Sequence, residues 1–98
     1  MTFKETKVVE NNIEYTVGIY ADGNKVWYLN GERHREDGPA IEWANGDKEW
    51  YLNDKLHRED GPAVELINDN KFWYVNGEVF KVKNNEEFLR LMKIKAFF

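Results

Sequence analysis

The chain has no cysteine, no serine, only two prolines, and no apolar run of membrane-spanning length. Without cysteine there is no disulfide framework, no thiolate-held zinc and no thiol nucleophile. The hydroxyls outside tyrosine belong to Thr2, Thr6 and Thr16. No Ser-His-Asp order, glycine-rich phosphate loop or zinc-ligand spacing occurs, which argues for a non-enzymatic protein with no metal and no cofactor. A helical span needs ~20 consecutive apolar residues, so no membrane role is expected. Excess positive charge is also missing. Lys+Arg is 14 against 18 Asp+Glu, a net charge of −4. Direct nucleic-acid binding depends on neutralising phosphates, and this balance speaks against it. No charged-then-apolar leader opens the chain, which predicts that it stays in the cytoplasm. What the chain does have is aromatic mass: 15% aromatics and four Trp, in a sequence whose mean hydropathy is −0.76. Disordered chains are poor in aromatics, so a folded single domain over 1–98 is expected.

The aromatics recur with a period. Trp-Tyr steps stand at Trp27-Tyr28, Trp50-Tyr51 and Trp73-Tyr74, 23 residues apart. The string His-Arg-Glu-Asp-Gly-Pro-Ala occurs unchanged at 34–40 and 57–63. Such self-similarity marks a repeat architecture. The repeats cover 23–80, preceded by a degenerate hairpin over 1–22 and followed by a helix over 84–98. Within each unit, runs of Trp, Tyr, Val and Ile are bounded by residues that accept positive φ, the pattern of strands and tight hairpins. Turns are expected at Asn11-Asn12, Asp22-Gly23, Asn30-Gly31, Asn45-Gly46, Asn53-Asp54, Asn68-Asp69 and Asn76-Gly77. In Asp-Gly-Pro at 37–39 and 60–62, glycine is expected to supply an unusual φ, and Asp37 and Asp60 to bond the turn backbone.

Two-residue turns predict a register. Across Asn30-Gly31, Tyr28 faces Arg33 and Trp27 faces His34. Across Asn45-Gly46, Glu42 faces Glu49 and Ile41 faces Trp50. One face then carries Trp27, Leu29, Ile41, Trp43, Trp50, Leu52, Val64, Leu66, Trp73 and Val75 as the core. The other carries Tyr28, Tyr51, Tyr74, Glu42, Glu49 and Glu65, with Val26 and Phe72. The same count across Asp22-Gly23 sets Gly18 opposite Trp27. At the C-terminus Asn84 or Asn85 caps a helix, and Glu86 and Glu87 suit its positive end. Phe88, Leu91 and Met92 form its apolar face, and Glu86 pairs with Arg90. This helix closes the sheet, and Phe97-Phe98 extend either that cap or a dimer contact. The fold class predicted is mainly β, an antiparallel meander of repeated hairpins with one C-terminal capping helix.

His34 with Glu36 and Asp37, and His57 with Glu59 and Asp60, invite a metal reading. Phe80, across from Trp73 in the third unit, argues instead for a packing position. Arg35, Glu36, Arg58 and Glu59 read as exposed loop ion pairs. The Tyr28/Tyr51/Tyr74 stripe with Glu42, Glu49 and Glu65 is the candidate partner-binding face, because Tyr suits contact surfaces and an opposed Glu pair costs stability without a partner. The alternative is that the helix or a second subunit covers it.

Asn-Gly-x-Arg-His, a later glycine and an aromatic strand ending in Ala-Asn-Gly resemble the MORN repeat over roughly 18–80. The His-Arg-Glu-Asp-Gly-Pro-Ala string is closer to small repeat proteins of bacteriophages and giant viruses, and the MORN Tyr-x-Gly-x-Trp strand is replaced by Trp-Tyr-Leu or Trp-Tyr-Val. The resemblance implies a single-layer β-meander that binds proteins or forms dimers and scaffolds. A lipid-headgroup role, implied for some members, fits poorly with a net charge of −4. The expected function is a phage- or mobile-element-encoded protein-binding module in the cytoplasm of a bacterial host. Its expected partner carries a basic nucleic-acid-binding groove, as targets of host-defence inhibitors such as anti-CRISPR proteins do. The alternative is a self-assembling scaffold, a homodimer or larger.

Overall fold

A computed structural model describes residues 3–95. It contains eleven strands and one helix: β1 (Phe3–Glu10), β2 (Ile13–Tyr20), β3 (Lys25–Leu29), β4 (Glu32–Arg33), β5 (Ile41–Glu42), β6 (Lys48–Glu49), β7 (Tyr51–Leu52), β8 (Lys55–Leu56), β9 (Val64–Glu65), β10 (Lys71–Val75), β11 (Glu78–Phe80) and α1 (Asn85–Lys95). The long sheet runs β1-β2-β3-β5-β6-β9-β10-β11, with β4 on the side of β3 and β7-β8 as a separate ribbon. All pairings are antiparallel. The predicted mainly-β meander with a C-terminal helix is the observed fold.

Two turn types alternate. Asn11-Asn12, Asn30-Gly31, Asn53-Asp54 and Asn76-Gly77 all have positive φ at both positions. They are two-residue hairpins whose left-handed φ matches strand twist. Their registers follow the expectation: Tyr28↔Arg33, Tyr51↔Leu56 and Trp73↔Phe80.

The other turns are one residue longer than expected. Tyr20 N–H donates to Asn24 at 3.0 Å, Trp43 N–H to Asp47 at 2.9 Å, and Leu66 N–H to Asn70 at 3.0 Å. Each encloses three residues, the last at positive φ: Gly23 (98°), Gly46 (102°) and Asp69 (72°). A type I turn followed by one left-handed residue makes this loop. The observed pairs are therefore Ile41↔Glu49 and Glu42↔Lys48, not Glu42 with Glu49. Gly18 faces Val26, and Val17 faces Trp27. Because side chains alternate with period two, the one-residue change sends Ile41 and Val64 to the Tyr side and Glu42 and Glu65 to the Trp side.

Trp43 is consequently not core. It is 40% exposed, and its indole N–H donates to Glu49 at 2.6 Å. Trp27 and Trp73 are buried, and Trp50 is half-buried. On the Trp side, Glu42 and Glu65 enter a cross-strand row, Lys25–Glu42–Lys48–Glu65–Lys71, in which every neighbour has the opposite sign.

Each central Trp is a pivot. Trp27 N–H donates to Ala40 at 2.7 Å, while its carbonyl accepts His34 N–H at 3.1 Å. Trp50 repeats both bonds with Ala63 and His57, at 2.8 and 2.9 Å. One strand edge thus pairs first with the following strand and then with its own hairpin. In the third unit α1 stands where the following loop would be. Phe88 is fully buried against Phe80 and Trp73, at ring distances of 5.4 and 6.4 Å. Asn84 caps α1 by accepting Glu87 N–H at 2.9 Å, and Glu86 pairs with Arg90 at 3.4 Å. Met92 is half-buried, whereas Leu91 is exposed. The expected extension of the helix to 98, and the role assigned to Phe97-Phe98, lie outside the described residues.

Candidate functional site

The His-Arg-Glu-Asp-Gly-Pro-Ala segments are built loops that fold over the Trp side of the sheet. Arg35 lies over the Trp27 ring with its guanidinium carbon 3.7 Å from the centroid, and Arg58 lies 4.0 Å over Trp50. Each arginine closes its own loop through the proline carbonyl, Pro39 at 3.2 Å and Pro62 at 3.1 Å. Arg35 also grips Glu10 with two parallel bonds of 3.0 and 2.8 Å. This contact holds the Glu10 carboxyl below its ordinary range and keeps the Arg35 guanidinium charged. Arg58 instead bonds Asp60 and Glu65, both at 3.0 Å. A cation over an indole is worth about 2 kcal/mol when desolvated. These arginines are structural, not the exposed loop pairs expected.

The loop glycines have a different reason from the one expected. Neither Gly38 nor Gly61 is at positive φ. A Cβ on Gly38 would stand 3.0 Å from the Arg35 guanidinium carbon, and on Gly61 2.9 Å from that of Arg58. Glycine lets the loop close on its arginine. The aspartates also depart from expectation. Asp37 accepts the Asn11 side-chain amide and Asp60 accepts Arg58, rather than either bonding its turn backbone.

His34 and His57 are buried, 6% and 9% exposed, as a packing position would be. Their role is nevertheless polar. His34 Nδ1 accepts Asn53 N–H and His57 Nδ1 accepts Asn76 N–H, each at 3.0 Å. Nδ1 being an acceptor, Nε2 carries the proton and donates to Glu36 at 3.1 Å and Glu59 at 2.9 Å. At the opposite end of the units, Asn24 Oδ1 accepts Ala44 N–H at 2.6 Å and Asp47 Oδ1 accepts Ile67 N–H at 2.9 Å. These bonds tie the first turn of each unit to the turn that ends it, while the histidines clamp each unit to the next. Phe80 replaces histidine in the unit that has no successor. Among the described residues no cluster of His, Asp and Glu has metal-binding geometry.

The expected partner face is divided. Tyr51 is buried, its hydroxyl donates to Glu49 at 2.8 Å, and Arg33 lies 4.3 Å over its ring. Burial, then the Glu49 carboxylate, pushes its phenol up to about 12. Tyr28 is half-buried and also raised, first by burial and then by Tyr20. Tyr74 is half-buried, and its carbonyl takes Arg58 N–H at 3.0 Å. Glu49 shares the Tyr side but is occupied by Trp43 and Tyr51. Glu42 and Glu65 are on the Trp side beside lysines, with Glu42 3.9 Å from Arg35. Arg33 is paired with Asp54 at 2.6 Å, which depresses the Asp54 carboxyl.

Two concavities of the described residues lie elsewhere. A groove of about 570 Å³ runs between the two loops, with Trp50 and Leu52 among its lining residues and Glu36, Asp37, Glu59 and Asp60 around it. Glu59 and Asp60 keep 67% and 85% of their side chains exposed. Four carboxylates face two arginines there; Arg35 is paired with Glu10 outside this group, and Arg58 with Asp60 within it. One unit further on, a smaller groove of about 350 Å³ is lined by Glu59, Val75, Phe80 and Met92. From the sequence these carboxylates read as metal, ion-pair or turn groups, not as the rim of a groove. The signal that marks them is the unchanged repetition of their string. Among the described residues no helix is long and apolar enough to cross a membrane. Scans against models of protein families, curated proteins and solved structures each return no match.

Proposed function

We propose that the protein is a non-enzymatic, MORN-like protein-binding module whose contact surface is the acidic groove between its two repeated loops. The observation that carries this reading is the groove itself. It has an aromatic wall, outward carboxylates, and loops held by stacked arginines and histidine clamps. Preorganised carboxylates cost little ordering entropy on binding and attract basic side chains at long range. The partner that fits is a protein with a lysine- or arginine-rich surface, of the kind that otherwise tracks nucleic-acid phosphates. Together with the viral resemblance of the repeats, this makes inhibition of a bacterial nucleic-acid-processing or defence complex the favoured biological role, exercised in the host cytoplasm. Tyr28 and Tyr74 then serve at most as a flank, and Tyr51 as core.

The test is affinity capture from bacterial lysate with the wild type and with Glu36→Lys/Glu59→Lys. The expected result is a retained protein that is competed off by duplex DNA or RNA, weakened by salt, and lost with the double variant. Expression should alter phage sensitivity in the same variant-dependent way. Retention that is indifferent to both the variant and the polyanion, or no retention together with unchanged phage sensitivity, overturns the reading.

A further inference from the structure

The two ends of the sheet are finished differently. At β11 the helix packs over Phe80. At the other end β1 is an eight-residue edge strand, exposed at Phe3 through Lys7, and no described strand pairs its outer side. Such an edge is a template for another strand.

Hydrogen-bond parity fixes which residues offer themselves. The Asn11-Asn12 hairpin closes on Glu10↔Ile13, so the even positions Lys4, Thr6, Val8 and Glu10 direct their N–H and C=O to β2. Phe3, Glu5, Lys7 and Val9 direct theirs outward. Phe3 and Val9 are 46% and 66% exposed, and the Phe3 ring is held over Gly18 and against Tyr20, 4.8 Å between ring centroids.

We propose that β1 pairs antiparallel with β1 of a second copy of this chain about a twofold axis at Thr6. In this register Phe3 faces Val9 of the second copy, and Glu5 faces Lys7 of the second copy. Apolar meets apolar, opposite charges meet, and every outward N–H and C=O from Phe3 to Val9 has a partner. The neighbouring registers allowed by the same parity fail. A shift of two residues one way sets Glu5 against Glu5, and the other way Lys7 against Lys7, like charges on the axis. Lys7 already donates to Thr16 Oγ1 at 2.7 Å and keeps two more donors for the Glu5 carboxylate. The resulting dimer is one continuous sheet with both grooves left open, so this surface is independent of the proposed function.

The experiment is analytical ultracentrifugation of the purified protein over a concentration series. The expected result is a reversible dimer. Glu5→Lys and Lys7→Glu each yield monomer, and the two exchanges combined restore the dimer. Glu5→Pro, which removes an outward N–H without touching the β2 ladder, also yields monomer. Thr6→Cys supplies a single thiol in a cysteine-free chain. Directly opposed non-hydrogen-bonded residues have Cα atoms ~4.5 Å apart, within disulfide reach, so mild oxidation links the copies. Lys4→Cys does not link. A wild type that stays monomeric, or a dimer that ignores Glu5→Lys and does not cross-link through Thr6→Cys, overturns the proposal. So does a charge reversal that the paired exchange fails to rescue.

Discussion

His34 and Asn53, nineteen positions apart, are joined by a bond from the Asn53 backbone N–H to the ring Nδ1 at 3.0 Å. His57 and Asn76 repeat it at the same distance. The bond satisfies the N–H at the first residue of a hairpin turn, which has no partner within its own unit. It makes the histidine a joint between units.

Replacing His57 by Phe, the residue found at the equivalent position of the last unit, should therefore destabilise the protein. The ring volume is kept but the Asn76 N–H loses its acceptor, at a cost of about 1–3 kcal/mol. Urea denaturation measures the loss, and amide exchange should accelerate at Asn76 more than at Asn53.

Gly61→Ala places a methyl 2.9 Å from the Arg58 guanidinium carbon. Arg58 must then leave the Trp50 ring or the loop must open, so destabilisation of roughly 1–2 kcal/mol is expected from the lost cation–π contact. In an Arg58→Ala background the same substitution should cost little. The double-mutant cycle reads the coupling directly, and additive losses would contradict this account of the glycine.

Asp69 occupies the left-handed loop position held by Gly23 and Gly46 in the preceding units, at φ 72°. Asp tolerates that region less well than glycine. Asp69→Gly should raise stability by about 0.5–1 kcal/mol, because relief of φ outweighs the entropy gained by the unfolded chain. Thermal melts compare it with wild type.

Tyr51 gives the fold an alkaline limit. Its phenol is raised from 10.0 to about 12 by burial and by Glu49. The unfolded chain ionises first as pH rises, so the stabilisation is whole below pH 10 and drains away between 10 and about 12. Ultraviolet titration should show a late-ionising component, shared with Tyr28, that loses one tyrosine in Tyr51→Phe, with the alkaline loss of stability reduced in parallel.

The repeat period, the four two-residue hairpins, the His–Trp oppositions and the capping helix were all legible in the sequence, because each rests on local chemistry: paired positive-φ residues, strict alternation, an Asn cap before Glu86 and Glu87. The three-residue loops were not. Asn45-Gly46 reads the same whether Gly46 is the second residue of a two-residue turn or the left-handed third residue of a longer one. That single choice decided the sides of Glu42, Glu65, Ile41 and Trp43, and so dissolved half of the expected Tyr–Glu face. The groove was illegible for another reason. It is made by stacking Arg35 on Trp27 and Arg58 on Trp50, contacts between a loop and a strand that spacing alone does not reveal.

The charge row from Lys25 to Lys71 has a consequence for the length of the molecule. One more copy of the 23-residue unit, spliced between Leu52 and Lys55 and their counterparts, would add one Glu and one Lys to the row. It would also add one histidine joint and one stacked arginine, and neither the β1 hairpin nor α1 would need to change. The two ends are adaptors, and the middle is a tandem element that gene duplication can lengthen or shorten, each added unit bringing one more carboxylate-rimmed loop.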